Sequence, residues 1–88
     1  MQITHLSFED ARKVQNQVQR ISHAVTFNKD ESLTCRRPCD SPAGADQFAS
    51  DIQRILAAVR RKIQIVQKGT ENFGPNLLYA VVRFKVIR

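Results

Sequence analysis

The chain has no tryptophan, one tyrosine, two cysteines and, between Ile52 and Arg88, a single acidic residue, Glu71. Each shortage excludes something. Two cysteines are too few for a disulfide scaffold, and Cys35-Arg36-Arg37-Pro38-Cys39 places three residues between them. Redox dithiol motifs space their cysteines by two and open a helix, so this pair reads as incidental free thiols despite the two adjacent cations. With His5 and His23 the cysteines complete the inventory of a four-ligand zinc site, but neither histidine stands at finger spacing, so no metal is expected. Long apolar runs are also missing. Leu77 to Val82 is the longest and is far too short to cross a bilayer. The start, Met1-Gln2-Ile3-Thr4-His5, has no basic region and soon reaches Glu9 and Asp10, which argues against a secretory signal. A cytoplasmic protein with no membrane partner is expected.

Catalytic signatures are equally scarce. The chain has no glycine-rich phosphate loop, no nucleophile elbow, no HExxH and no paired carboxylates beside an evident cleft. Glu9 and Asp10 fall in one first helical turn and Asp46 and Asp51 in the start of another, where capping and the helix dipole account for them. Its 88 residues are expected to form one domain, spanning 1–88. A domain of this size buries only roughly 60–65% of the surface its unfolded chain exposes, which leaves little room for a substrate cavity and its supporting shell. A binding protein is therefore expected, not an enzyme, and one that needs no cofactor. Dimerisation, which buries more apolar surface, is compatible with so short a chain. Hydrophobic residues at 42% and charged residues at 25% argue against wholesale disorder.

What is present is two apolar stripes at helical spacing. Ser7 precedes Phe8-Glu9-Asp10 as an N-cap, and Ala11, Val14, Val18, Ile21 and Val25 follow, which predicts a helix from about Phe8 to Ser22. His23 falls on its polar side, near the C-terminal end. The second stripe, Phe48, Ile52, Ile55, Leu56, Val59, Ile63 and Val66, follows Asp46 as N-cap and closes before Gly69. Between the stripes, Ala24 to Phe27 and Ser32 to Cys35 read as short strands around the polar turn Asn28 to Glu31, and Pro38 to Gly44 has loop composition. After Gly74-Pro75-Asn76, Leu78, Ala80, Val82, Phe84 and Val86 alternate with Tyr79, Val81, Arg83, Lys85 and Ile87, which predicts a strand with one half-polar face.

With Gln2 to His5 as a first strand, the order becomes β-α-β-β-α-β, an α+β two-layer split β-α-β (ferredoxin-like) arrangement with two amphipathic helices on one face of an antiparallel sheet. The alternative is an antiparallel helical hairpin, its loop running from about Thr26 to Ala45, with the C-terminal strand pairing to a partner. A connection of that length without structure of its own is unusual, which favours the sheet.

Charge is divided unevenly. Residues 1–51 carry six bases and seven acids, residues 52–88 eight bases and one acid, so the formal +6 comes entirely from the second part. On a helix extended to Gly69, Arg54, Arg61 and Lys68 stack opposite the apolar stripe, with Arg60 and Lys62 on the flanks. No acid lies three or four residues from Arg60, Arg61 or Lys62, so these cations lack local helical partners. Arg83, Lys85 and Arg88 add a basic row on the last strand, beside Tyr79, although an aromatic platform of the RRM kind is absent. Ala58 and Ile65 lie among the helical cations as a small apolar strip.

Two functions follow from this pattern. The first is a non-enzymatic basic protein that contacts nucleic-acid phosphates through Arg54, Arg60, Arg61, Lys62, Lys68, Arg83, Lys85 and Arg88. The alternative is a regulatory or inhibitory protein that uses Ile65 and the same cations against an acidic protein surface, with a homodimer as one form it could take.

Overall fold

The computed structural model describes residues 8–87. The strand expected at Gln2 to His5, the Ser7 cap, His5 and Arg88 lie outside them. Helix α1 is Phe8–Gln19, with Glu9 and Asp10 in its first turn, where carboxylates oppose the positive helix end. Val14 and Val18 are fully buried. The helix stops before the expected Ser22, because the amides of Arg20 and Ile21 bond only three residues back, to Gln17 and Val18, and tighten the last turn. His23 therefore lies beyond the helix, and Val25 leaves the helical stripe for strand β1.

Strands β1 (Ala24–Phe27) and β2 (Leu33–Cys39) form the expected hairpin, with Val25 opposite Cys35 and Thr26 opposite Thr34. Strand β2 runs four residues further than its composition suggests, so only residues 40–42 connect it to the next helix. Pro38 is tolerated because β1 begins at Ala24, opposite Arg36, and leaves that end of β2 paired only with the strand on its other side.

Helix α2 is Ala43–Ala57, preceded by Pro42 with no side-chain cap. Asp46 is therefore not the N-cap but a first-turn residue. At Gly44 a Cβ would run into the Cβ of Cys39, so glycine is what lets the helix start directly against the strand end. The apolar face buries Ala45, Phe48, Ala49, Ile52 and Leu56.

The second helix does not continue to Gly69. Its end is a Schellman turn, in which the Arg61 amide bonds to the Leu56 carbonyl at 2.9 Å and the Arg60 amide to that of Ala57 at 3.0 Å. Arg60 takes the left-handed position, with φ 62°. Beyond it Ile63-Gln64-Ile65 alternates with period two, and the chain forms β3 (Lys62–Asn72). A turn at Gly74-Pro75-Asn76-Leu77, with Asn76 at φ 63° after Pro75, has the signature of type II and leads into β4 (Leu78–Ile87).

The fold is α+β, and the described residues form two helices and a four-stranded antiparallel sheet in the order β1-β2-β4-β3. Along the described chain the order is α-β-β-α-β-β, not the expected β-α-β-β-α-β. The difference comes from β3, built from residues assigned above to a helix. Two successive helix–hairpin units thus lie side by side, their second strands adjacent and antiparallel. The helical-hairpin alternative is not formed.

Leu33, Cys35, Ala80, Val82 and Phe84 pack from one sheet face against Val14, Val18, Phe48, Ile52 and Leu56 of the helices. Both helices therefore cover the same face. Edge strand β3 carries a bulge between Ile65 and Gln67, at Val66, which stays 47% exposed.

A non-glycine residue in the left-handed region costs roughly 1–2 kcal/mol, part of which glycine returns as lost chain entropy. Arg60→Gly is therefore expected to raise stability by about 1 kcal/mol. Urea unfolding checks this, and an unchanged or lower midpoint would count against strain at this turn.

Candidate functional site

Among the described residues no element covers the face of the sheet away from the helices. Alternation sends Tyr79, Val81, Arg83, Lys85 and Ile87 of β4 to that face, since Ala80, Val82 and Phe84 are in the core. Register supplies their neighbours. Arg83 lies between Thr34 and Gln67, Val81 between Arg36 and Gly69, and Tyr79 between Pro38 and Glu71, while Lys85 is opposite Gln64 and Ile87 opposite Lys62. The strands thus bring Arg36, Lys62, Arg83 and Lys85 to one surface with a single strand acid, Glu71.

A furrow of about 230 Å³ crosses the middle of this face, walled by Thr34, Arg36, Gln67, Glu71 and Arg83 and floored by Gly69 and Val81, with Arg36 ion-paired to Glu71 at 3.3 Å. A Cβ at Gly69 would meet nothing within 4 Å, so the missing side chain keeps the furrow open and no packing requires it. At the Tyr79 end lies a second hollow of about 240 Å³, lined by His23, Ala24, Arg36, Phe73, Leu77 and Tyr79. The rings of Phe73 and His23 stand 5.4 and 5.6 Å from that of Tyr79.

Arg83 is fixed by a polar network under the β1–β2 turn. Its Nε donates to Ser32 Oγ at 2.9 Å and its terminal nitrogen to Asp30. Ser32 is fully buried. Its hydroxyl donates to Asp30 and accepts from Arg83 and from Asn28 Nδ2 at 3.0 Å, which uses all three of its hydrogen-bonding positions. The Ser32 hydroxyl and backbone amide, followed by Arg83, hold the Asp30 carboxyl well below the usual carboxylate range, outweighing the opposing effect of burial.

The remaining cations are not gathered as the extended helix implied. Arg54 projects from α2 and lies 4.0 Å from Asp51. Arg61 reaches from the turn after α2 to Asp10 at 2.6 Å, closing that turn onto α1. Lys68, opposite Val82 on the helix side of β3, pairs with Asp46 at 2.7 Å. Arg60, Lys62 and Lys85 have no acidic partner among the described residues. Ile65 is opposite Phe84 and packs against the core, so no Ala58/Ile65 strip exists. Of the cations expected at the site, only Lys62, Arg83 and Lys85 share the open face.

Sequence reasoning missed Arg36, Gly69 and Phe73. The signal for them was the Ile63/Ile65 alternation, which turns Gly69 and its hairpin partners into sheet-face residues. Cys35 and Cys39 share a strand four residues apart, about 13 Å at strand rise, beyond the reach of a disulfide, and both are free. Burial pushes the Cys35 thiol up to about 11, with Ser22 pulling slightly the other way, which makes it inert. Among the described residues no group of three or more His, Cys, Asp or Glu is placed to hold a metal ion, and no helix is long and apolar enough to cross a membrane. No protein-family model, curated protein or solved structure matches the chain.

Removing the Ser32 hydroxyl takes hydrogen bonds from partners that are themselves partly exposed and can turn to water, so Ser32→Ala is expected to cost about 0.5–1.5 kcal/mol, read from denaturant midpoints. A loss below about 0.5 kcal/mol would show that the network is not closed in solution. Asp30 adds a pH dependence. Because its folded pKa lies below the value of about 4 in the unfolded chain, its contribution is complete at neutral pH and is lost as pH falls from about 4 through the lowered value. Melting temperature against pH is expected to fall less steeply below about pH 4 in Asp30→Asn than in the parent.

Proposed function

We propose that the chain is a non-enzymatic basic binding protein that holds the phosphates of single-stranded nucleic acid on the open face of its sheet. One observation carries this reading: a sheet face left bare by both helices carries Arg36 and Arg83 along a furrow kept open by Gly69, with Lys62 and Lys85 further along the same face. Lys62 and Lys85 are exposed and have no acidic partner among the described residues, so phosphates would meet no competing carboxylate there. Backbone contacts of this kind position a strand without reading its sequence. The alternative, an acidic protein partner, draws on the same cations together with an apolar strip at Ile65, and it is the less favoured reading because Ile65 packs against the core.

If Lys62 and Lys85, the two cations of the face without an acidic partner among the described residues, meet phosphates of a single strand, log affinity falls with log salt at a slope of about −1.4, roughly a 7-fold loss between about 50 and 200 mM. Anisotropy of a labelled oligonucleotide measures it. Neutralising both contacts in the double variant Lys62→Gln/Lys85→Gln is expected to bring the slope close to zero. Lys68→Gln, on the helix side, is expected to leave it unchanged. Gly69→Ala, whose Cβ would meet nothing within 4 Å, narrows the furrow and is expected to weaken binding while the protein stays folded. Salt-independent binding, or equal effects of the Lys68 and Lys62/Lys85 changes, would remove the open face from consideration.

A further inference from the structure

We propose, on the foundation of that reading, that the hollow at the Tyr79 end of the open face receives one unstacked base of the bound strand. Its apolar walls are held out in water. Phe73 is 55% and Leu77 42% exposed, because Gly74 at φ 145° and Asn76 at φ 63° set a turn that projects them from the hairpin instead of folding them onto the core. Phe73 meets the Tyr79 ring at 88° and His23 meets it at 60°, so neither covers Tyr79 by stacking face to face. Three rings thus wall a hollow of about 240 Å³, below the roughly 300–1,000 Å³ of sites for larger ligands and suited to one planar group.

Charge selects among planar or cationic guests. Arg36 lines the hollow, and its hydrogen bond to Glu71 uses Nε at 3.3 Å, leaving its terminal nitrogens without a hydrogen bond among the described residues. A quaternary or methylated ammonium, the usual guest of aromatic enclosures, would meet this guanidinium and be repelled. A base attached to phosphate has a face for the rings and a charge for Arg36. From Tyr79 to Lys85 the face continues for about 20 Å at strand rise, past Arg83, so phosphates following the captured base would lie over these cations.

Tyr79 is the only tyrosine and there is no tryptophan, so the protein's own emission reports on this hollow. The experiment titrates the full chain at about 50 mM salt with a short homopolymer oligonucleotide, as RNA and as DNA, and with an abasic strand of equal charge. Tyr79 emission is followed beside anisotropy of the labelled strand. Saturable quenching in step with anisotropy is expected for the base-bearing strand only. Phe73→Ala, at an exposed position, is expected to weaken that strand about 5- to 150-fold and leave the abasic strand unchanged, the stacking of one base being worth about 1–3 kcal/mol. Phe73→Leu keeps the apolar bulk without the ring, and is expected to lose nearly as much, which separates stacking from folding. Binding by anisotropy with unchanged Tyr79 emission, or equal weakening of both strands by Phe73→Ala, would overturn the base site and leave the phosphate face standing. Binding of neither strand would end both. Displacement of the oligonucleotide by polyglutamate at equal charge would also overturn it, in favour of an acidic protein ligand.

Discussion

The left-handed turn at Arg60 is the constraint on which the rest of the molecule depends. It halts α2 while the apolar periodicity still runs on, and it reverses the chain so that the next eleven residues enter the sheet as β3. The paired amides of Arg60 and Arg61 close the helix end, and the Arg61 side chain ties the same turn to Asp10 of α1. Without this reversal β4 would lose one neighbour and Gly69 would not lie beside Val81. The furrow exists because a helix stops.

That reversal also decides how charge is arranged. A continuous helix would collect Arg54, Arg61 and Lys68 on a single stripe; the strand instead distributes the cations over both sides of the sheet. On the helix side Lys68 is matched by Asp46, and Arg37 lies 4.4 Å over the Phe48 ring and 3.0 Å from Asp51. These cations link layers. Lys62 and Lys85, on the opposite side, link nothing among the described residues and remain available to solvent or ligand. Position in the sheet, more than total charge, separates structural bases from those that can act on a ligand.

Most of the elements were legible because their periods were unambiguous. Val14 and Val18 keep helical spacing, Ala24 to Phe27 and the alternation from Leu78 to Val86 read as strands, and all three lie where those patterns put them. The end of α2 was hidden because the left-handed residue is arginine, not the glycine that usually marks such a stop. Val59, Ile63 and Val66 also fit a helix, while Ile63 and Ile65 fit a strand, and only long-range pairing with Phe84 and Val86 decides between them. The candidate site suffered from the same nonlocality. Arg61 has no acid within four residues, yet Asp10, 51 residues earlier, neutralises it. Tyr79 could be placed on an outer face from sequence, but Arg36 and Phe73 join it around the hollow, and Gly69 falls opposite Val81, only through long-range pairing.

The interruption at Val66 has a consequence for the outer margin of the sheet. An eleven-residue rim whose outer amides and carbonyls pair with no other strand among the described residues is a template on which further chains could add, the first step toward fibres. Because the pairing skips a residue between Ile65 and Gln67, that rim is broken into two shorter, differently phased segments, and a lysine stands in each, Lys62 and Lys68. No incoming strand can match both segments at once. The kink that looks like an imperfection in the ladder makes so long a border a poorer template.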